Sequence, residues 1–447
     1  MDWGRRRINR FGSATYPPFA AAIREIEQKK QHSAEPREDQ ANCMPDEITP
    51  ESIYESIGVP TVINCVGEHT RISGTLMRPE AAEAMAAATT AYVSLADLQT
   101  AASKRIASVT GAERGYVTNG AASGLTLATA ACMAGNDFGI MNQLPHTDGI
   151  ADEVVIPTSH RNEYEVAFRL AGATLVSAGM NDLGNGKENV EPWEIAEAIG
   201  EDTAAVAYID RKHNQLPLEP VIDIAHDADV PVIVDAAAEL PPSGNLTRYI
   251  DAGADLVAFS GGKAIRGPQT TGLLAGRRDL IESVALQHLP SGGHENVWDP
   301  PSYLIRSEEL PGMPRHGIGR AMKVGKEEIV AFLVALDEYV AGADEERLAT
   351  WNDRADRLQD GLKSIDNLLV TRVDSGAAGV PVTLRVSLGD NKTTTALVQE
   401  LRAGDPRVIV GEGRLDQGYA TINPKRLQEE SVDIVIERMA GAVDAVT

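Results

Sequence analysis

Residues 230–272 decide the fold: VPVIVDAAAEL opens the stretch and ADLVAFSGGKAIRGPQTTG closes it. The run VPVIVD is apolar and β-branched and ends in Asp235, a pattern typical of a buried strand that delivers a carboxylate to the edge of a sheet. A second run of the same kind, ADLVAFS, delivers Ser260 and, after two glycines, Lys263. Ligands gather at the carboxyl ends of parallel strands, so these side chains are predicted to share one site.

One aspartate and one lysine at neighbouring strand ends suit the chemistry of pyridoxal phosphate. The lysine amine condenses with the cofactor aldehyde, and the carboxylate keeps the pyridine nitrogen protonated so that the ring withdraws electrons. Ser260, three residues before Lys263, is predicted to donate its hydroxyl to the cofactor phosphate. Taken singly, a lysine after Gly-Gly is commonly a solvated loop residue, and an aspartate after a strand is commonly a cap or turn residue. The combination of the two predicts the cofactor.

A glycine turn before a helix of small residues supplies a candidate phosphate site. A predicted strand ends at Thr118, and a long helix is predicted to start in the residues that follow, Asn119, Gly120, Ala121, Ala122 and Ser123. Small side chains at a helix N-terminus let backbone N–H groups approach a phosphate, and the helix dipole favours its charge. Such turns are commonly structural, so this prediction depends on Lys263 downstream.

Two further segments carry candidate site residues. His160 ends the predicted strand EVVIPTSH, where a neutral imidazole is expected to lie flat on the cofactor ring or to relay a proton; a histidine that caps the next helix is the alternative. His213 and Gln215 lie in a loop that passes the same sheet edge and are candidates for contact with substrate. A solvated turn explains both of them equally well.

Three basic residues, Arg320, Lys323 and Lys326, follow one another at helical spacing in GIGRAMKVGKEE. Residues three apart face the same way on a helix, so in this acidic chain the cluster is a candidate pocket for a carboxylate or phosphate. Ordinary charge on a helix surface is the alternative.

The composition indicates a soluble, cytoplasmic α/β enzyme. The net charge is −24, from 65 acidic and 41 basic residues, and such a surface disfavours binding to nucleic acid. No apolar run reaches the roughly 18 residues of a membrane helix, and no hydrophobic stretch of signal-peptide type is present. Cys43, Cys65 and Cys132 have no C-x-x-C spacing, so neither a disulfide framework nor a metal site is predicted.

Three regions are predicted from the pattern of elements. Residues 1–46 are polar and are expected to form a disordered tail. Residues 47–325 are expected to form a large cofactor-binding domain with an N-terminal arm, and residues 326–447 a small C-terminal α+β domain. Within the large domain, residues 289–316 break the periodicity and are predicted to form a long ordered loop or lid.

At SGGKAIRGP, VIVDAAAEL and GRAMKVGKE the chain resembles the selenocysteine synthase family of fold-type-I pyridoxal phosphate enzymes. The likeness extends from about residue 51 to the C-terminus and is greater for the branch of D-glucosaminate-6-phosphate ammonia-lyase. It implies an α/β fold with a mixed, mostly parallel seven-stranded sheet and a smaller C-terminal domain. It also implies a homodimer or larger homo-oligomer with active sites shared between subunits.

The resemblance also implies roles for individual residues. Lys263 is expected to hold the cofactor aldehyde and Asp235 the pyridine nitrogen, while Ala237 packs against the ring and His160 stacks on it. The phosphate is expected to be bound by Gly120, Ala121, Ala122 and Ser260.

Arg320 and Lys323 match a pair of basic residues that binds an anionic group in the family. Both members of this pair are arginines in the bacterial selenocysteine synthase, and a lysine at 323 gives up bidentate geometry. Arg71 is expected to complete this anion site.

The resemblance and the composition together predict a pyridoxal phosphate-dependent lyase. The reaction expected is α,β-elimination from a small anionic amino acid or amino-sugar acid, with release of ammonia and a 2-keto acid. The bacterial selenocysteine synthase is a basic tRNA binder with a folded N-terminal domain, whereas this chain is strongly acidic, so tRNA is not expected as a partner. A selenium transferase, an aminotransferase, a racemase and a non-catalytic relative are the alternatives.

Overall fold

A computed structural model describes residues 53–54, 56–180, 190–211, 216–290, 292–374, 376 and 379–447. The predicted tail, residues 1–46, lies outside the described residues, as do His213 and Gln215. Among the helices that are described, none is both long enough and apolar enough to cross a lipid bilayer.

The strands of the described residues form three sheets. They are β1 (Val62–Cys65), β2 (Arg114–Thr118), β3 (Glu153–Pro157), β4 (Thr174–Ala178), β5 (Thr203–Ile209), β6 (Val232–Asp235), β7 (Leu256–Ser260), β8 (Gly272–Gly276), β9 (Leu369–Val373), β10 (Thr383–Ser387), β11 (Arg407–Val410) and β12 (Ala420–Ile422). The central sheet has seven strands in the order β2-β8-β7-β6-β5-β3-β4. Strand β8 is antiparallel to both neighbours, and the other neighbouring pairs are parallel. The predicted mixed, mostly parallel sheet is therefore confirmed.

Helices cover both faces of this sheet. They are α1 (Pro79–Ala88), α2 (Leu95–Thr110), α3 (Gly120–Ala134), α4 (Phe138–Gln143), α5 (Val166–Leu170), α6 (Pro192–Ala198), α7 (Leu218–Asp227), α8 (Asn245–Asp251), α9 (Arg278–His288), α10 (Lys326–Ala341), α11 (Asp344–Lys363), α12 (Asn391–Ala403) and α13 (Ser431–Val446). Val155 of β3 belongs to one apolar core, and its neighbours Val154 and Ile156 belong to another. Successive side chains of a strand point to opposite faces, so the sheet is buried on both sides.

The C-terminal part has its own apolar core. Strands β9, β10 and β12 form an antiparallel sheet, and β1 pairs in parallel with β11. Cys65 of β1 is buried in this third core, so the N-terminal arm contributes a strand to the C-terminal unit. The domain boundary near residue 325 stays a prediction.

Strand β9 has only a weak signal in the sequence. The helical pattern ends at Lys363, and Leu369–Val373 form an edge strand. Three of its five residues are exposed, so its sequence lacks the apolar signal of a core strand. The strand is held instead by five residue pairs with β10.

The segment predicted to be an ordered loop or lid packs onto the large sheet unit. Within residues 292–316, Leu304 and Ile305 are buried in the second core. Arg306 donates from Nε to the buried Glu282 carboxylate at 2.9 Å. These contacts fix the middle of the segment as ordered structure.

Candidate active site

Asp235 and Lys263 reach the same edge of the central sheet. Asp235 ends β6 and Ser260 ends β7, and these adjacent parallel strands pair Asp235 with Ala258. Lys263 follows in the loop between β7 and β8. Its positive charge acts on the carboxyl of Asp235 and opposes the effect of burial on that group's pKa. The structure thus brings together the two side chains that the sequence singled out.

The Asp235 carboxylate is buried and, among the described residues, has few hydrogen-bond partners. It is 7% exposed, and its Oδ1 accepts a hydrogen bond from the backbone N–H of Ala237 at 3.0 Å. Burial raises the pKa of Asp235, and the N–H of Ala237 and the charges of Lys263 and Arg211 oppose this effect. Among the described residues no cation lies within ion-pair distance of the carboxylate. A protonated pyridine nitrogen fits that position, because it supplies both a donor and a positive charge.

His160 is buried and neutral. It ends a short 3₁₀ turn, Thr158–His160, and its Nδ1 accepts from the N–H of Ile209 at 3.3 Å. Burial, reinforced by the charge of Arg211, lowers the pKa of His160 to about 4. The next turn is capped by Asn162, which excludes the capping alternative for His160. A neutral imidazole that carries its proton on Nε2 fits a stacking partner for an aromatic ring.

The candidate phosphate cradle consists of the start of α3 and the facing end of β8. Gly120 has φ +77°, a conformation that favours glycine, and the space beside its Cα is open. Gly272 lies against it, because a Cβ at 272 would stand 2.4 Å from the Gly120 carbonyl carbon and 2.6 Å from the Ala121 nitrogen. The Thr118 hydroxyl donates to the Gly120 carbonyl at 2.9 Å. The space beside Gly120 at the first turn of the helix is therefore open, which a bound phosphate would require.

The loop that carries Lys263 is tightly cross-linked. The N–H of Gly261 donates to Thr271 at 2.8 Å, and the N–H of Arg266 donates to the Lys263 carbonyl at 3.0 Å. A Cβ at Gly262 would lie 2.5 Å from the Cα of Gln269. The two glycines before the lysine are therefore needed for the close approach of the two sides of the loop.

Arg320, Lys323 and Lys326 line one cavity of about 300 Å³, together with Tyr92, Val93, Leu95, Gln99, His288, Leu289, Pro290, Val324, Gly325 and Ile329. The prediction that the basic residues share one helix is wrong, because the 3₁₀ helix Ile318–Met322 ends before Lys323 and α10 begins at Lys326. None of the candidate cofactor residues lines this cavity. The link to them is Asn119, whose Nδ2 donates to the Lys323 carbonyl at 3.1 Å beside the phosphate cradle.

Arg71 lies elsewhere. Its guanidinium pairs with Glu412 of the C-terminal unit at 3.0 Å, and Glu412 also binds Arg402. Arg71 does not line the cavity of Arg320 and Lys323. The expected completion of that anion site by Arg71 is therefore not seen within one chain.

Two residues that sequence reasoning missed also act at this edge. Arg211 comes two residues after β5, and its charge acts on both His160 and Asp235. The rule that found Asp235, a charged residue at the end of a buried strand, also applies to Arg211. Burial and then the charges of Arg71 and Lys263 lower the pKa of His69, which places His69 near the lysine. Nothing in the local sequence singled out His69.

The family model for aminotransferase class-V matches residues 140–400, more than half of the chain. The chain belongs to the aminotransferase class-V family. This class-V chain is 28% identical over 403 residues to D-glucosaminate-6-phosphate ammonia lyase of Salmonella typhimurium, a match that covers 88% of the chain and 98% of the relative. A solved structure of D-glucosaminate-6-phosphate ammonia-lyase superposes with a TM-score of 0.72 at 25% identity, over 89% of this chain and all of that one.

Two other relatives broaden the comparison. The 5'-C-glycyluridine monooxygenase-decarboxylase of a Streptomyces species is 31% identical over 401 residues, which is 86% of the chain and 90% of the relative. The L-seryl-tRNA(Sec) selenium transferase of Nitratidesulfovibrio vulgaris is 27% identical over 284 residues, which is 53% of the chain and 55% of the relative.

These findings confirm the resemblance to the selenocysteine synthase and D-glucosaminate-6-phosphate ammonia-lyase group, and they confirm the fold-type-I α/β fold. Membership of the class-V family confirms pyridoxal 5′-phosphate as the expected cofactor. The buried carboxylate of Asp235 suits the ring nitrogen of this cofactor, and the open space at Gly120 suits its phosphate.

Proposed function

We propose that this class-V enzyme is a pyridoxal phosphate-dependent ammonia-lyase. It acts on a small anionic amino acid or amino-sugar acid by α,β-elimination, in which the α-proton and a β-leaving group are lost, and hydrolysis of the product then releases ammonia and leaves a 2-keto acid. The observation that carries the proposal is the buried Asp235 carboxylate at the strand edge that also bears Lys263. The similarity to an ammonia-lyase over nearly the whole length of both chains supports this reaction over others of the same cofactor.

Bound pyridoxal phosphate supplies an electron-withdrawing ring that stabilises negative charge on the α-carbon of an amino acid. The chain's own groups do the rest. The amine of Lys263 would hold the cofactor aldehyde and, as a free amine, would accept the α-proton of the substrate. Asp235, ionised by its cationic partner, keeps the ring nitrogen protonated. His160, whose pKa is lowered to about 4 by burial, would lie against the ring as a neutral group and would add no charge to compete with that pair.

The cofactor phosphate is assigned to the backbone N–H groups of Gly120, Ala121 and Ala122 and to the Ser260 hydroxyl. The open space at Gly120 and the close contact of Gly272 behind it support this assignment. Ala237 is assigned to the ring, since its N–H already orients Asp235.

The substrate's anionic group is assigned to Arg320 and Lys323. Both line one cavity, and Lys323 is tied to the cradle through Asn119. Because Lys263 does not line that cavity, we propose a homodimer or larger homo-oligomer in which one subunit's Arg320 and Lys323 complete the partner's site. We assign Arg71 to positioning the C-terminal unit through Glu412, and we propose a cytoplasmic enzyme.

The test begins with the absorbance spectrum of the purified protein. We expect a visible band from lysine-bound cofactor, its loss in Lys263→Ala with an unchanged far-ultraviolet circular dichroism spectrum, and its retention in the exposed control Lys392→Ala. A screen of hydroxy amino acids and amino-sugar acids should then show ammonia and keto acid in equal amounts without an added amino acceptor. An unchanged band in Lys263→Ala would show that the wrong lysine has been chosen.

The same screen separates the rival reactions. An aminotransferase needs an amino acceptor, and a racemase releases no ammonia. A selenium transferase needs tRNA binding, which a net charge of −24 disfavours.

A second candidate is oxidative decarboxylation, which is favoured by the 31% identity to a monooxygenase-decarboxylase. It requires oxygen and releases carbon dioxide. Ammonia release that persists under anaerobic conditions would therefore exclude it, whereas strict dependence on oxygen would overturn the lyase.

A further inference from the structure

A second cavity, of about 310 Å³, lies behind the lysine loop, between that loop and the C-terminal unit. Its wall is formed by the loop, by α10, by α11 and by the segment after β12. The lining residues are Leu76, Arg78, Pro241, Ala264, Arg266, Tyr339, Arg347, Thr350, Trp351, Arg354, Lys425, Arg426, Leu427 and Gln428. Neither Lys263, Asp235 nor His160 is among them.

Six of these side chains are cationic and none is acidic. Three carboxylates of the described residues pair with these cations: Glu68 binds Lys425 and Arg426, Asp344 binds Arg347, and Glu429 binds Arg354. Among the described residues the six cations outnumber the three paired carboxylates, in a chain whose net charge is −24. An excess of this sign in so acidic a protein indicates a site that selects anions.

Two of the cations have no carboxylate partner in the part of the chain that the structure describes. Arg78 donates from Nε to the Ile265 carbonyl, and Arg266 donates from Nε to the Leu76 carbonyl, each at 3.0 Å. Burial and then the charge of Arg347 lower the pKa of Arg78. Burial and then the charges of Arg426 and Arg78 lower the pKa of Arg266. The cations thus repel one another across the cavity.

Glu80 and Glu338 also face this group, and both act on Arg78 from beyond ion-pair distance. They relieve the repulsion only in part. The net effect of the surroundings still lowers the pKa of both arginines.

Two buried polar groups at the wall also lack partners. The hydroxyl of Tyr339, a residue with no exposed surface, makes no hydrogen bond among the described residues. The same is true of Nε of Arg426, whose side chain is 8% exposed. A buried donor without a partner is energetically costly, so such groups usually have a ligand or water. Both residues line the cavity.

We propose that this cavity is a binding site for a phosphate-type oxyanion, either inorganic phosphate or the phosphate group of a small monoester. A tetrahedral dianion accepts hydrogen bonds on several sides, which suits arginines that arrive from four segments of the chain. The ligand ties the lysine loop, through Ala264 and Arg266, to the C-terminal unit. The site is distinct from the cofactor cradle and does not depend on the proposed lyase reaction.

The test is isothermal titration of the cofactor-loaded protein with inorganic phosphate, at constant ionic strength set by chloride. We expect one saturable site per chain and a rise in melting temperature that chloride alone does not produce. A parallel titration uses glucose 6-phosphate. Binding at least tenfold tighter than that of inorganic phosphate identifies a monoester as the ligand, and equal or weaker binding identifies free phosphate.

Variants decide whether this cavity is responsible. Arg266→Gln should weaken phosphate binding at least tenfold, whereas Arg414→Gln, an exposed arginine outside the cavity, should not. Thr350→Glu provides a second test that leaves the arginine contacts in place, because this exposed threonine lines the cavity and its hydroxyl donates to the helix backbone at Glu346. The added carboxylate should weaken phosphate binding by a similar factor. Absence of saturable binding, or binding unchanged in Thr350→Glu, would overturn the proposal.

Discussion

The buried ion pair of Glu68 joins the N-terminal arm to the C-terminal unit, and its removal should be costly. Glu68 accepts from Lys425 Nζ at 2.9 Å and also binds Arg426, and its side chain is 12% exposed. Burial alone would raise the pKa of Glu68, but the charges of Lys425 and Arg426 outweigh it and lower the pKa from 4.5 to about 2. The ionised carboxylate is therefore strongly stabilised in the folded protein.

This shift sets the size of the expected effect. A change of about 2.5 pKa units corresponds to about 3 kcal/mol of stability. Removing one partner of a buried ion pair costs about 3–5 kcal/mol, which agrees. We therefore expect Glu68→Gln to lower the free energy of unfolding by about 3 kcal/mol at pH 7, as measured by urea denaturation. Glu437→Gln, an exposed glutamate on α13, is the control and should stay within about 0.5 kcal/mol of the parent.

The pH dependence gives the sharper test. Because the folded-state pKa is depressed, the contribution of Glu68 is complete above the unfolded pKa of 4.5 and is lost as the pH falls toward 2. The difference between parent and Glu68→Gln should be constant from pH 7 to about 5.5 and should fall by more than half at about pH 3. A cost below about 1 kcal/mol at pH 7, or a cost that does not shrink on acidification, would refute the reasoning.

Three further changes test the site. Gly272→Ala should raise the dissociation constant of pyridoxal phosphate about tenfold or more in a fluorescence titration, because overpacking costs about 1–3 kcal/mol. The control Gly200→Ala should leave the constant unchanged, since a Cβ at position 200 would meet open space. Asp235→Asn should lower kcat about 100-fold or more with little change in melting temperature, since it removes the buried carboxylate that holds the ring nitrogen. Because burial lowers the pKa of His160 to about 4, its titration should be missing from the pH profile of kcat/KM between pH 5 and 8. As the pH falls from 6.5 toward 4, only the unfolded protein takes up a proton on this imidazole. The parent should therefore lose stability relative to His160→Phe over that range.

The core of the site was predictable because its signals are local. A β-branched run that ends in a polar residue marks a strand end, and neighbouring parallel strands end at one edge, so Asp235, Ser260 and Lys263 could be placed together before any coordinates. The small residues after Thr118 predicted the start of α3 in the same way. Gly272 carried no such signal, since its role depends on contact with a helix start about 150 positions earlier in the chain.

The features that the sequence did not predict depend on contacts between distant segments of the chain. Helical spacing suggested one helix for Arg320 to Lys326. Instead, the 3₁₀ helix ends at Met322 and α10 begins at Lys326. Within that 3₁₀ helix, Gly319 packs so closely that a Cβ would lie 2.6 Å from Leu127. The pairing of β1 with β11 joins residues more than 340 positions apart. The basic cavity gathers its arginines from four segments, and no periodicity in any one of them reveals the others.

The arm between Glu68 and Arg78 links the lysine loop to the C-terminal unit. The Thr75 hydroxyl donates to the Gly262 carbonyl at 3.0 Å, and Arg78 binds the loop at Ile265. Glu68, at the other end of the arm, neutralises cations of the oxyanion cavity. As a structural ion pair Glu68 stabilises the fold, whereas as a neutralising carboxylate it weakens the attraction of the cavity for anions.

Glu68→Gln should therefore lower stability and, at the same time, strengthen phosphate binding. It removes one of the three carboxylates that pair with the cations of the cavity, which already carries excess positive charge. Titration of Glu68→Gln with phosphate, under conditions where it remains folded, should give a dissociation constant several-fold lower than that of the parent. Phosphate should then restore part of the lost stability, since a ligand that binds only the folded state stabilises it in proportion to its occupancy. An ion pair with a structural role alone predicts the opposite, namely that loss of Glu68 loosens the cavity and weakens phosphate binding together with stability.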